Sequence, residues 1–120
     1  MNFFKRLLGG GSVRDTAMSL YKRGLAKGKK RDQQGAIEDY TAAINSPEVP
    51  TDVRAMALYN RALLYASMKH IPKAAEDLRA VMAMEEPLSK IKAAAKQTLD
   101  RFQRQQGAGT AAPPDGLTRK

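Results

Sequence analysis

Few residues in this sequence of 120 have side chains suited to chemistry. An enzyme needs a positioned acid, base, nucleophile or metal. His70 is the sole histidine and cysteine is absent, so no histidine pair can bind a metal and no thiol can act as a nucleophile. His70 follows Lys69 at the expected end of a helix, where the helix dipole favours positive charge. The "GGGS" at residues 9–12 lacks the Lys and Ser/Thr that complete a phosphate-binding loop.

Two pairs of adjacent carboxylates are the remaining candidates for acid–base work. Glu38–Asp39 lies in "GAIEDYTAAI", and Glu76–Asp77 lies further along the chain in the similar "KAAEDLRAVM". Each pair precedes the central apolar residue of its segment. This recurrence indicates repeated structure on a helix surface rather than a catalytic dyad. We therefore predict a protein that is not an enzyme and has neither a metal nor a cofactor.

The offset between these carboxylate pairs also relates two segments further upstream. "YKRGLAK" begins at Tyr21 and "YNRALLY" begins at Tyr59, and the arginines Arg23 and Arg61 match within them. We call this offset, from Tyr21 to Tyr59, the repeat period. The chain is thus predicted to contain two units of two helices each. The first helix of a unit carries Tyr-x-Arg-small-Leu, and the second carries Ala-x-x-x-apolar-x-x-apolar, which places its apolar residues on one helical face.

Helix-breaking residues divide these segments. Gly28 and "KKRDQQG" are predicted to separate the first two helices, and "NSPEVPT" separates the units with Thr51 as the N-cap. Pro72 suits the first turn of the fourth helix, and Pro87 is predicted to end it. No segment has the pattern of a strand, so the expected fold is all-α with about five helices. The last helix has one apolar stripe of Leu88, Ile91, Ala95, Leu99 and Phe102.

The two ends of the chain differ in composition from the middle. Residues 1–12 are predicted to be a flexible amphipathic segment with a Gly-rich link, residues 13–106 a helical domain, and residues 107–120 a disordered tail. "FFKRLL" at 3–8 is compatible with a disordered tail, a segment docked on this or another protein, or a membrane-surface contact. The chain has no signal-peptide core and no apolar run of about 20 residues, so the default location is cytoplasmic, with peripheral membrane association left open.

Small residues recur where two antiparallel helices would cross, with larger residues between them. In the first unit Gly24, Ala36 and Ala43 surround Tyr40. The positions that correspond to the pattern in the second unit are Ala62, Tyr65, Ala74, Leu78 and Val81. This pattern resembles the tetratricopeptide repeat family, whose 34-residue unit is a helix–turn–helix. The resemblance implies an α-α superhelix of antiparallel hairpins, with repeat 1 at about 17–47, repeat 2 at about 55–87 and a capping helix at about 88–105.

The chain departs from the family pattern mainly in its first unit. Lys27 occupies a position that is normally aromatic, and Gln33 one that is normally apolar. In the second unit Val81 replaces a small residue. The repeat period is also about four residues longer than that of the family. We therefore expect looser helix packing in the first unit than in the second.

Each unit pairs an arginine in its first helix with an aspartate in its second. The pairs are Arg23 with Asp39 and Arg61 with Asp77. They are either ion pairs that orient the two helices or separately solvated surface charges. An exposed pair would stabilise the fold by less than about 1 kcal/mol.

The resemblance also implies that the first helices line a groove for a peptide or helix. Mapped position by position, the groove residues are Met18, Tyr21, Lys22, Leu25, Lys29, Met56, Tyr59, Asn60, Leu63 and Ser67, with Lys90 and Lys92 from the last helix. Some family members clamp a peptide carboxylate with lysines and asparagines. Asn60 and Lys90 match that set, but Tyr21 and Leu25 do not, so an apolar groove rimmed by lysine fits better. Tyr21 and Tyr59 are either interface anchors or residues packed between helices.

The formal net charge of +9 favours anionic partners. Six cations without an intervening acid lie between Asp15 and Asp32, which suits a solvated face, an acidic protein segment or a phosphate backbone. The sequence thus predicts a non-catalytic module that binds a protein or peptide, acidic or otherwise. The alternative is a small basic adaptor at nucleic acid or an anionic membrane. With only two clear units, we expect either self-association through the N-terminal or the last helix, or a cover formed by "FFKRLL" folding back.

Overall fold

The computed structural model describes residues 13–85 and 88–110, and over this part of the chain the fold is all-α without strands. Its five helices are α1 (Val13–Lys29), α2 (Gln33–Ile44), α3 (Thr51–Ser67), α4 (Ile71–Met82) and α5 (Ser89–Thr110). The predicted fold class is confirmed. The predictions for residues 1–12, for Pro87 and for residues 111–120 lie outside the described residues.

The helices repeat along the chain with the period seen in the sequence. α3 begins and ends one repeat period after α1, α4 does so relative to α2, and α5 begins one repeat period after α3. Each helix packs against the next one along the chain, and α3 also contacts both α1 and α5. The protein therefore has two layers, with α1, α3 and α5 in one and α2 and α4 in the other.

The turn inside each unit has the same backbone geometry. Arg31 and Lys69 are one repeat period apart, and both have φ of 68°. Their N–H groups donate to the carbonyls of Gly28 and Ala66, each at 3.0 Å. The N–H groups of the next residues, Asp32 and His70, donate to the carbonyls of Lys27 and Tyr65, which completes the Schellman motif that ends a helix.

Several helix boundaries differ from the prediction. Gly28 lies inside α1, and only residues 30–32 separate α1 from α2, because the Asp32 side chain accepts from the Gly35 N–H at 2.9 Å and starts α2 early. Thr51 is the first residue of α3 rather than its N-cap, which is Pro50 without a side-chain bond. Pro72 does lie in the first turn of α4, as predicted.

Two further boundaries lie near the C-terminal end. α4 ends at Met82, before Pro87, and the Ala83 N–H closes its last turn on the Arg79 carbonyl at 3.0 Å. α5 continues to Thr110, so it is longer than the capping helix predicted at 88–105 and includes the first residues of the predicted tail.

The core is built from alanines where helices cross. An added Cβ at Gly24 would lie 2.7 Å from the Tyr40 ring. In the second unit Ala62 is larger than its equivalent Gly24, and Leu78 is smaller than its equivalent Tyr40. These combinations conserve volume at the crossing. Tyr40 is only 3% exposed, so the looser packing expected of the first unit is absent at its crossing. The fully buried alanines are Ala17, Ala36, Ala43, Ala55, Ala57, Ala62, Ala74 and Ala95.

Candidate functional site

An arginine–aspartate pair joins the two helices of each unit. Arg23 donates from Nε and Nη2 to the Asp39 carboxylate at 2.9 and 3.0 Å, and Arg61 does the same to Asp77 at 2.8 Å in both bonds. Both carboxylates are buried. The pairs are therefore bidentate ion pairs rather than separately solvated charges, and their role is structural.

The two pairs differ in how far solvent reaches them. The Arg23 side chain is 61% exposed, whereas that of Arg61 is 17% exposed. The hydrogen bonds from Arg23 lower the pKa of Asp39, with a further contribution from Lys27, whose Nζ lies 3.1 Å from the carboxylate. Lys27 thus replaces the expected aromatic residue with a second cation on Asp39.

Arg61 also makes contacts that the sequence did not reveal. Its Nη1 donates to Thr41 Oγ1 in α2 at 2.9 Å, so this arginine joins the two units. Its guanidinium lies 5.6 Å from the centroid of the Tyr65 ring, and Lys73 Nζ lies 5.5 Å from the same centroid. Two cations of the same chain therefore already make cation–π contacts with the Tyr65 ring.

A third arginine–aspartate pair holds the beginnings of α1 and α3 together. Arg14 donates to the two Asp52 oxygens at 3.0 and 2.9 Å. The bonds from Arg14 lower the pKa of Asp52 and raise that of Arg14. These residues are one repeat period apart, so opposite charges at equivalent repeat positions were a signal in the sequence that could have predicted the pair.

Five predicted groove residues come together between α1 and α3. They form part of an open depression of about 340 Å³ lined by Leu25, Gly28, Lys29, Tyr40, Asn60, Leu63, Leu64 and Ser67, which we call the groove. Leu63 is 37% exposed. The leucines supply an apolar floor, and Lys29 supplies a cation at the rim. Gly28, Tyr40 and Leu64 were missed as groove residues, because they depend on how the helices are rotated.

Tyr21 and Asn60 are engaged with their own chain. The Asn60 amide donates to the Tyr21 hydroxyl at 3.1 Å and to the Met56 carbonyl at 2.9 Å. Both amide hydrogens are thereby used, so none is left for a ligand carboxylate, and the partial match to a carboxylate clamp is not supported. The Tyr21 ring lies 5.9 Å from that of Tyr40. Burial, with a smaller effect of Tyr21, raises the pKa of Tyr40 to about 12.

The other predicted groove residues lie outside this depression. Met18, Met56 and Tyr59 are half-buried, and Lys22 is exposed. Tyr59 packs against the core, which favours the packing interpretation of the tyrosines. Of the lysines expected from the last helix, Lys90 lines a separate depression on α5, and Lys92 Nζ donates to the Met84 carbonyl.

The basic run from Lys22 to Arg31, in α1 and the turn after it, divides into paired and unpaired cations. Arg23 and Lys27 are bound to Asp39. Within the described ranges 13–85 and 88–110, no carboxylate lies within ion-pair distance of four other exposed cations, Lys22, Lys29, Lys30 and Arg31. Four of the six cations in the run therefore have no carboxylate partner among the described residues.

Metal sites and membrane-spanning helices are two further features that would point to a function. Among the described residues, no cluster of three or more His, Cys, Asp or Glu could hold a metal ion, and no helix could span a membrane. The chain matches no family model, no curated protein and no solved structure. The geometry itself defines the class: an all-α helical-repeat protein with an apolar, lysine-rimmed groove between neighbouring first helices.

Proposed function

We propose that the protein is a tetratricopeptide-like interaction module without catalytic activity, which binds a peptide or helix of a partner protein in the groove. The observation that carries the proposal is the apolar floor formed by Leu25, Leu63 and Leu64, with Leu63 exposed to solvent. A concave apolar surface with a few polar groups at its rim is typical of a ligand site. The small crossing residues and the repeated helices support the family assignment.

Leu63 is the appropriate residue for testing this proposal. Tyr21 is unsuitable, because replacing it would also remove the hydrogen bond from Asn60 and the contact with Tyr40. Leu63 and Met82 are equally exposed, at 37%, but Met82 ends α4 and lies outside the groove. Leu63→Glu and Met82→Glu therefore make the same chemical change at matched exposure.

The experiment is selection from a random peptide library displayed on phage. Wild type and Met82→Glu should enrich related peptides, whereas Leu63→Glu should not bind them, because a carboxylate in the apolar floor would be desolvated by the ligand. Circular dichroism would verify that both variants are folded. The proposal fails when wild type enriches no peptide, or when the enriched peptides bind Leu63→Glu as well as wild type.

The unpaired cations support a second candidate function, a basic adaptor at nucleic acid or an anionic membrane. Its signature is salt dependence: contact of Lys22, Lys29, Lys30 and Arg31 with four phosphates would weaken binding about 100-fold between 50 and 200 mM salt. Titrations of a labelled RNA duplex and of phosphatidylserine vesicles would measure this. Peptide binding in the groove should change far less, because its apolar contacts are not screened.

A further inference from the structure

The groove continues into a second depression at one end. This depression has a volume of about 380 Å³, is lined by Gly28, Arg31, Gln33 and Leu64, and shares Gly28 and Leu64 with the groove. Gly28 lies where the two meet, and a Cβ built there would make only an ordinary contact with the Ala36 Cβ at 3.9 Å. The two depressions therefore form one surface from the apolar floor to Arg31.

The turns of both units lie side by side at this end. Gln33 Nε2 donates to Ser67 Oγ at 3.1 Å, which joins the start of α2 to the end of α3. The turn at Arg31 is consequently a neighbour of the turn at Lys69. We call the exposed cations of these turns the basic edge, namely Lys29, Lys30, Arg31 and Lys69.

Charge is distributed unequally along the groove. At the opposite end, where α1 and α3 begin, Arg14 is neutralised by Asp52. That end lies about 25 Å from the basic edge, since α1 has 17 residues with a rise of about 1.5 Å each. In the basic edge, no described carboxylate lies within ion-pair distance of Lys29 or Arg31. Among the described residues that line the two depressions, the cations are Lys29 and Arg31, and both lie at this end.

We infer that the partner segment has an acidic flank, which leaves the groove over Gly28 and binds Lys29 and Arg31, while its apolar residues contact Leu25 and Leu63. The inference rests on the proposed function and adds the chemistry and the direction of the partner chain. A protein segment fits better than nucleic acid, because the groove floor is made of leucines. Its one ring, that of Tyr40, is buried and offers no stacking platform for a base.

The test compares two charge reversals that change the net charge equally. Lys29→Glu/Arg31→Glu alters the end of the groove, and Arg101→Glu/Arg104→Glu alters exposed arginines on α5 that line neither depression. Peptides selected on wild type and lost with Leu63→Glu would be sequenced, and the most enriched one would be labelled and titrated against each variant by fluorescence anisotropy. A second peptide would carry lysines in place of its acidic residues.

The selected peptides should share acidic residues on one flank. Lys29→Glu/Arg31→Glu should lower the affinity for the acidic peptide at least about tenfold and raise the affinity for the lysine peptide. Arg101→Glu/Arg104→Glu should change neither affinity. Two outcomes would overturn this inference and leave the proposed function intact. In one, the peptides depend on Leu63 but have no acidic flank; in the other, both double variants lose the same affinity. Enrichment of no peptide, or tight binding of an RNA duplex that depends on Lys29 and Arg31 instead, would reject both.

Discussion

Adding one methyl group at Gly24, where α1 crosses α2, should overpack the first unit. The new Cβ would lie 2.7 Å from two ring atoms of Tyr40 and 3.3 Å from the Ala36 carbonyl oxygen. The ring cannot move away easily, because it is 3% exposed and also packs against Tyr21. The carbonyl belongs to the α2 backbone and is equally constrained.

Two opposing effects set the size of the change. Overpacking of a core costs about 1–3 kcal/mol, whereas Gly→Ala inside a helix gains about 1 kcal/mol. Gly28→Ala is the matched control, since Gly28 lies in the same helix and its added Cβ would make only an ordinary contact of 3.9 Å. The free energies of unfolding of the two variants should therefore differ by about 1–3 kcal/mol, with Gly24→Ala the less stable.

Urea unfolding followed by circular dichroism at 222 nm measures this difference. Tyr40→Leu supplies the second arm, because it reproduces the Ala62 and Leu78 combination of the second unit. In the Tyr40→Leu background, Gly24→Ala should no longer be less stable than Gly28→Ala. Equal stabilisation by both alanines in the wild-type background, or a penalty that persists without the ring, would refute the packing argument.

Two further predictions concern the turns and the ion pairs. Arg31→Gly and Lys69→Gly should each raise the free energy of unfolding by up to about 1 kcal/mol, because L side chains are disfavoured at φ of 68°; unchanged or lower urea midpoints would contradict this. Asp39, whose pKa is lowered by hydrogen bonds from Arg23, should contribute stability above its unfolded pKa and lose it as the pH falls through the lower folded value. Between about pH 5 and pH 2, Asp39→Asn should therefore lose less stability than wild type in urea titrations, and equal losses would disprove it.

The sequence predicted features that depend on one helix or on the repeat itself. The pairing of Arg23 with Asp39 and of Arg61 with Asp77 followed from their recurrence at equivalent positions. The groove positions of Leu25 and Leu63 were instead implied by the resemblance to tetratricopeptide repeats. Helix ends were predicted less well, because Asp32 extends α2 towards the turn and α1 tolerates Gly28 in its last turn.

Contacts between helices were harder to predict. The bond from Asn60 to Tyr21 depends on the rotation of α3 about its axis, which residue spacing alone does not determine. The same holds for Gln33 and Ser67, whose side chains meet across the two units. The position of Asn60 matched a carboxylate clamp in the sequence, but its amide is already bonded within the chain.

The start of α5, one repeat period after that of α3, bears on how copies of the protein can assemble. α5 occupies the place of a third first helix, but it has Leu99 where Arg23 and Arg61 stand, and its outer face carries Lys96 paired with Asp100. A charged pair on an outer face is typical of a helix that caps a repeat array against solvent. Copies that meet through their α1 ends would therefore form a closed two-fold pair, and head-to-tail growth into a filament would stop at α5.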